Sequence, residues 1–309
     1  MIWLYITLGV IGLILILVFV TLFFIYKGVY YTPIKGQDNE FLLTEATLKY
    51  AKREDINQMI QTMLDIPYED IYTKSFDRLK LHARLYRNKD SNVVCIMCHG
   101  YRGTPCRDFS GFAKDMIKKG YNVILIDERG HGKSEGHSIT FGNREKKDLL
   151  SWIEYSKKEF GEKIRFVFCG LSMGGATVLL ASDHYPKGSK VIADCPYAAP
   201  REIVTQTIIN NLGKNPKVLY PIANLTSIIF CHENLNKEDA NRNVKKSEAK
   251  FLIIHGDIDS VVPYKLSERV YLENKDKVRY ELIKGAEHGI SYIIDTPRYK
   301  RVVDEFLDN

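Results

Sequence analysis

An α/β fold with a mostly parallel central sheet and helices on both faces is predicted by three features of the sequence. Short, strand-like and mainly apolar runs at 92–98, 121–126, 164–169, 191–194, 251–255 and 278–283 alternate with helix-length segments. Strands that are apolar on both faces need cover on both, as parallel strands in βαβ units have. Between 194 and 251 that rhythm breaks, with Pro196, Pro200, Pro216 and Pro221 and no strand-like run. A connection of that length inside an α/β domain reads as a functional lid, so an inserted helical cap is expected at 197–246. Third, 2–26 is a stretch of 25 residues without a charged side chain, the length and character of a transmembrane helix.

In chain order, the apolar run comes first. A helix of that length reaches ~37 Å at ~1.5 Å per residue, enough to cross a hydrocarbon core of ~30 Å. The alternative is a cleaved signal peptide, but no basic stretch precedes the run and Tyr26-Lys27-Gly28-Val29-Tyr30-Tyr31 offers no small-x-small cleavage site. Residues 1–27 are therefore expected to be a single-pass anchor. Lys27 and Lys35 follow it and only the α-amino group precedes it, which points the remainder to the cytoplasmic side.

Segment 30–37 reads as an irregular exit. In 45–64, Leu48, Ala51, Ile56, Met59, Ile60, Met63 and Leu64 have helical spacing with a charged opposite face. Residues 28–69 are thus expected as a helical connector packed on the domain, with a membrane-lying helix as the alternative. From residue 70, two strands at 70–76 and 79–87 join through a tight turn at Asp77-Arg78 as an antiparallel hairpin. Helices at 109–119, 144–160, 173–184, 264–274 and 297–307 complete a domain spanning 70–309.

Composition narrows the function. A chain of 309 residues with mean hydropathy −0.20, 45% hydrophobic and 27% charged residues is neither disordered, collagen-like nor a multi-span membrane protein. At this size a folded chain buries roughly three quarters of the surface it exposes unfolded, so it needs no disulfide or structural metal. The net charge of +6 lies wholly beyond the apolar run; it suits a domain beside an anionic leaflet and equally an unselected surface. No basic block interleaves with aromatics, so no nucleic-acid partner is expected. Cys95 and Cys98 form a C-x-x-C inside a strand-like run, where positions three apart face opposite ways, and no second such pair exists. They and Cys106, Cys169, Cys195 and Cys231 are expected to be packed free thiols of a reducing compartment, with no metal site.

The chemistry centres on Gly170-Leu171-Ser172-Met173-Gly174-Gly175, directly between a strand and a helix. G-x-S-x-G in that setting is a nucleophile elbow, a turn so sharp that only small residues fit beside it, which lifts the serine oxygen above the sheet. The alternative for Ser172 is simple capping of the following helix. The glycines do not match the G-x-G-x-x-G dinucleotide pattern. A serine hydroxyl needs a base within hydrogen-bond reach and a carboxylate to orient that base. Two late loops supply them: 255–263, with Asp257 and Asp259, and 285–289, with His288. Both follow strands at the sheet edge that carries the elbow, where open α/β sheets gather their ligands.

The order serine, acid, histidine is that of α/β-hydrolases, and over about 70–307 the chain resembles the bacterial membrane-anchored branch near the serine aminopeptidase-like and Bem46-like hydrolases. The resemblance implies an α/β-hydrolase fold. It also implies Asp259 as the acid, since His255-Gly256-Asp257-Ile258-Asp259-Ser260-Val261-Val262-Pro263 matches H-G-x-x-D-x-x-V-P; Asp257 is the alternative. The oxyanion donors implied are the backbone N–H of Met173 and that of Tyr101, the residue after His99-Gly100. The Tyr101 ring is expected to wall the pocket or to pack beside it, and His99 to brace the loop. Residues 127–134 resemble the family's D-x-R-G-x-G-x-S segment. They fail as a phosphate loop because Asp127 stands where a glycine is required, and they are expected to brace the site, with substrate contact from Arg129 or His131 as the alternative. In the cap, 217–230 is apolar on more than one face, suited to lining an acyl or aromatic pocket or to packing on the core. Cys231 and His232 lack a third metal ligand.

The expected activity is a membrane-anchored serine hydrolase that cleaves a small-molecule acyl ester through an acyl-enzyme, with Ser172, Asp259 and His288 as catalytic residues and no cofactor. Peptidase or thioesterase action on the same triad is the first alternative. A catalytically silent hydrolase fold serving as a membrane-tethered binding module is the second.

Overall fold

Nothing in 2–25 breaks a helix, and α1 (Ile2–Ile25) forms there with almost every apolar side chain facing outward. Its two threonine hydroxyls are satisfied within the helix: Thr7 and Thr21 donate to the Trp3 and Leu17 carbonyls, each at 2.8 Å. This computed structural model describes residues 1–32, 40–213 and 215–308. Helical winding continues through a π turn at Tyr26–Tyr30, giving a span of 29 residues long and apolar enough to cross a membrane. The expected irregular exit is ordered where it is described: Tyr31 bridges Ser138, and the Ile139 N–H donates to the Tyr30 carbonyl at 2.7 Å. Residues 33–37, including Lys35, lie outside the described residues.

The connector differs from the single helix expected at 45–64. It forms α2 (Glu45–Tyr50), capped by Thr44, and α3 (Arg53–Leu64), separated by Ala51 in extended conformation. The break re-aims the chain so that Ile56, Ile60 and Met63, spaced four and three apart, turn inward.

Strands β1 (Glu69–Lys74) and β2 (Lys80–Tyr86) pair antiparallel across the turn at Asp77-Arg78, where Arg78 takes φ 71°. Then follow β3 (Val93–Cys98), α4 (Pro105–Lys118), β4 (Asn122–Ile126), α5 (Glu145–Phe160), β5 (Arg165–Leu171), α6 (Met173–Leu180) and β6 (Lys190–Asp194). Helix α4 begins four residues before the position expected, because Pro105 in the first turn sacrifices an N–H that no helix could use. The β6 to β7 interval is helical, with α7 (Pro200–Leu212), α8 (Pro216–Thr226), a π turn at Ser227–Cys231 and α9 (Ala240–Lys246). The chain ends with β7 (Lys250–Gly256), α10 (Lys265–Glu273), β8 (Val278–Ile283), α11 (Ser291–Ile294) and α12 (Thr296–Asp308).

Among the described residues the sheet has eight strands in the order β1-β2-β4-β3-β5-β6-β7-β8; β2 pairs antiparallel with both β1 and β4, and the remaining pairings are parallel. Alternation along β3 shows why its sequence is apolar throughout. Val94, Ile96 and Cys98 face a core with Trp152 of α5, whereas Val93, Cys95 and Met97 face a second core with Phe112 of α4 and Tyr299 of α12. Because β5, β7 and β8 run in the same direction, the loops after them share one edge of the sheet.

Candidate active site

The β5 to α6 turn holds Ser172 at φ 54°, a conformation a serine adopts only when its surroundings enforce it. Here the Ser172 N–H donates to the Asp194 carbonyl at 2.8 Å. The glycines leave no alternative: a Cβ on Gly170 would strike the Gly174 carbonyl, and one on Gly174 the Cys98 carbonyl. The elbow is therefore wedged between the ends of β3 and β6, with Ser172 at the cavity wall.

Three of the expected residues come together there. Ser172 Oγ lies 2.8 Å from His288 Nε2, and His288 Nδ1 lies 2.7 Å from Asp259 Oδ2. The other Asp259 oxygen accepts the N–H groups of Val261 at 2.9 Å and Val262 at 2.7 Å. Burial pushes the Asp259 carboxyl up, but hydrogen bonds from His255 and His288 outweigh it and hold the group well below the usual carboxylate range. An anionic Asp259 fixes the proton of His288 on Nδ1 and leaves Nε2 to accept from the Ser172 hydroxyl. Asp257 is engaged elsewhere, its Oδ1 accepting the Gly285 N–H at 2.6 Å.

Tyr101 and Met173 line the same cavity as Ser172 and His288, a space of about 820 Å³. The loop carrying Tyr101 is fixed from below, because the Gly100 N–H donates to Asp108 Oδ2 at 2.8 Å. His99 braces it: Nδ1–H donates to the Gly100 carbonyl at 2.9 Å and Nε2 accepts the Glu128 N–H at 3.0 Å. The Tyr101 ring stacks on Phe141 with centroids 5.6 Å apart. Arg129 is committed to a bidentate pair with Asp148 at 2.6 and 2.7 Å and to Asp77, and neither it nor His131 lines the cavity. Leu219, Ile222 and Ala223 of α8 do line it.

Three neighbours of the site escaped sequence reasoning. His255 donates from Nε2 to the Val262 carbonyl at 2.8 Å and lies 3.2 Å from Asp259 Oδ2, so it supports the acid from behind. Its place at the head of the H-G-x-x-D motif was the available signal. Cys195, at positive φ after β6, brings its sulfur within 4.8 Å of Asp259 and His288. Among the described residues this is the one group of His, Cys, Asp and Glu atoms close enough to share an ion, and two of its members already bind each other.

The third is Asp194, which accepts from the Ser291 hydroxyl at 3.1 Å and lines the cavity. Burial pushes its carboxyl up to about 6, despite the opposing influence of His255 and the Ser291 hydrogen bond. An aspartate raised above its unfolded value of ~3.9 favours the folded state while protonated, and that contribution disappears as pH rises through about 6. Asp194→Asn is therefore expected to become more stable than the parent as pH rises from 4 to 8, by on the order of 2–3 kcal/mol. Thermal melts of both proteins across that range check it; a constant difference in melting temperature would refute it.

A family profile described as serine aminopeptidase, S33, matches residues 89–237, from the turn before β3 into the cap. The uncharacterized protein YqkD of Bacillus subtilis is 26% identical over 277 residues, covering 89% of this chain and 88% of that protein. The lysophosphatidylserine lipase ABHD12 of Danio rerio is 23% identical over 238 residues, 71% of this chain and 59% of that protein. Among solved structures, the Pyrococcus furiosus esterase Pf2001 superposes with a TM-score of 0.65 at 23% identity, covering 90% of this chain and 97% of its own. Sheet order, elbow and comparisons converge: the chain has the α/β-hydrolase fold and is similar over residues 89–237 to the serine aminopeptidase S33 family.

Proposed function

We propose that this hydrolase cleaves carboxylic esters through an acyl-enzyme on Ser172. The observation that carries the reading is the unbroken hydrogen-bond chain from Ser172 through His288 to Asp259 at the wall of an apolar cavity. As Ser172 Oγ bonds to the substrate carbonyl carbon, His288 Nε2 takes the hydroxyl proton and Asp259 stabilises the imidazolium. The oxyanion forms against the Tyr101 and Met173 amides. Collapse breaks the carbon–oxygen ester bond, and His288 returns the proton to the departing alcohol. Water then adds to the acyl-enzyme with His288 again as base, releasing the acid and restoring Ser172.

We further read α1 as a single-pass anchor at 1–27, residues 28–69 as its connector and 70–309 as the hydrolase domain with its cap at 197–246. Lys27, immediately after the apolar run, favours a cytoplasmic domain.

A fluorophosphonate probe tests the nucleophile, since it bonds covalently to an activated serine. Labelling of the wild-type protein is expected, together with faster turnover of a short-chain chromogenic ester than of the matched aminoacyl amide or thioester. An unlabelled wild-type protein would favour the silent binding module, and a preference for the amide or thioester would move the assignment to those bonds.

A further inference from the structure

The N-terminal helix does more than precede the domain. Thr21, Ile25, Gly28 and Val29 form part of the wall of the cavity that holds Ser172 and His288. The Tyr101 hydroxyl donates to the Val29 carbonyl at 2.8 Å, and Arg102 donates to the carbonyls of Gly28 at 3.0 Å and Tyr31 at 3.2 Å. Tyr30 is fully buried and its hydroxyl donates to the Ala223 carbonyl of α8 at 2.9 Å. The end of the helix is thus sewn both to the loop after β3 and to the cap.

Depth along the helix gives these contacts their meaning. Lys27 is the first charged residue of the chain. At ~1.5 Å per residue, Thr21 lies ~9 Å and Phe19 ~12 Å to the apolar side of it. The cavity wall therefore extends past the first charge into the apolar span. So does the cap: Phe230 stacks on Tyr26 at 5.0 Å and meets Phe23 at 6.2 Å and Phe19 at 5.6 Å. From 218 to 231 the cap carries no charged side chain, and Val218, Leu225, Ile228 and Ile229 stand exposed there, with Ile209 and Leu212 of α7. An exposed apolar face continuous with a membrane-crossing helix has an environment to match it, the lipid beside that helix.

We propose that the cap is immersed in the bilayer beside α1, and that the substrate is a membrane-dissolved long-chain acyl ester whose chain reaches Ser172 along the wall formed by α1 and α8. This rests on the ester hydrolase and anchor readings above. The chain would lie against Ile25, Val29, Leu219 and Ile222, and the ester carbonyl would meet Ser172 without the lipid crossing water. No charged group in 218–231 would have to leave water to admit it.

The experiment uses the full-length protein in phosphatidylcholine vesicles, with two chromogenic esters: a water-soluble butyrate and a palmitate dissolved in the bilayer. The variant Val218→Glu/Leu225→Glu/Ile229→Glu changes three exposed residues that do not line the cavity. Butyrate turnover should stay within about twofold while palmitate turnover falls at least about tenfold, given the cost of placing carboxylates in lipid. Equal effects on both esters would overturn the proposal. Immersion is read independently of activity by Leu225→Trp in a Trp3→Phe background, with lipids brominated on their acyl chains. Quenching of the new tryptophan supports immersion and its absence overturns it. A wild-type protein inactive on butyrate would instead sink the hydrolase reading, whatever the quenching shows.

Discussion

Ser172→Ala is expected to lower ester turnover by at least about 10⁴-fold, since the remaining donors and binding surface supply only the residue of catalysis that survives loss of a nucleophile. The loss should fall on kcat, because the hydroxyl bonds to substrate only as the reaction proceeds. Fluorophosphonate labelling should vanish with it. The fold has no reason to suffer: the elbow conformation is held by the Ser172 backbone N–H and by the crowding around Gly170 and Gly174, none of which depends on the hydroxyl. Progress curves on the short-chain ester and a thermal melt together decide the matter. Retention of more than about a tenth of wild-type turnover would remove Ser172 from the mechanism.

The second large effect separates the two acids. Asp259→Asn should cost about 10⁴-fold in kcat, for a reason visible at His288. An asparagine would offer its NH₂ to Nδ1, the imidazole proton would move to Nε2, and the atom facing Ser172 at 2.8 Å would become a donor unable to accept the hydroxyl proton. Asp257→Asn should leave turnover within a few-fold, because its oxygen can still accept the Gly285 N–H. If only the change at 257 abolishes turnover, the assignment fails. The two substitutions are two residues apart in one loop and remove the same charge, so a general electrostatic effect would not distinguish them.

Legibility of the sequence differed by kind of feature. Strands β3 to β7 were visible because each is buried on both sides over nearly all its length, so their apolar runs had to be continuous, whereas the edge strand β8 is only partly buried and carries Arg279 and Glu281 among its apolar residues. The juxtaposition of Ser172 and His288 was also legible, since G-x-S-x-G and the loop after β8 each follow a parallel strand and must share an edge. The break at Ala51 was not, because the apolar spacing on either side of it continues one helical pattern while the backbone changes direction. His255 was quoted with its motif, yet its support of Asp259 depends on a turn that brings Val262 back over the ring. Nor did the apolar character of 2–26 disclose that Val29 and Tyr30 would hold the Tyr101 loop and the cap. Those contacts join residues about 70 and 190 positions apart through single carbonyl oxygens, and a backbone acceptor has no residue type by which to recognise it.

The cysteines give the sheet a property of another kind. All six are buried and free, with the Cys95 and Cys169 sulfurs 3.6 Å apart on neighbouring strands. Burial pushes the thiols of Cys106 and Cys231 up to about 12 and those of Cys98, Cys169 and Cys195 well above their usual value. A thiol reagent needs both access and a thiolate, and the closed structure offers it little of either. Alkylation of this protein therefore keeps time by the opening of its layers: each modified sulfur records an excursion from the native state, and Cys95 and Cys98, on opposite faces of β3, record the two layers separately.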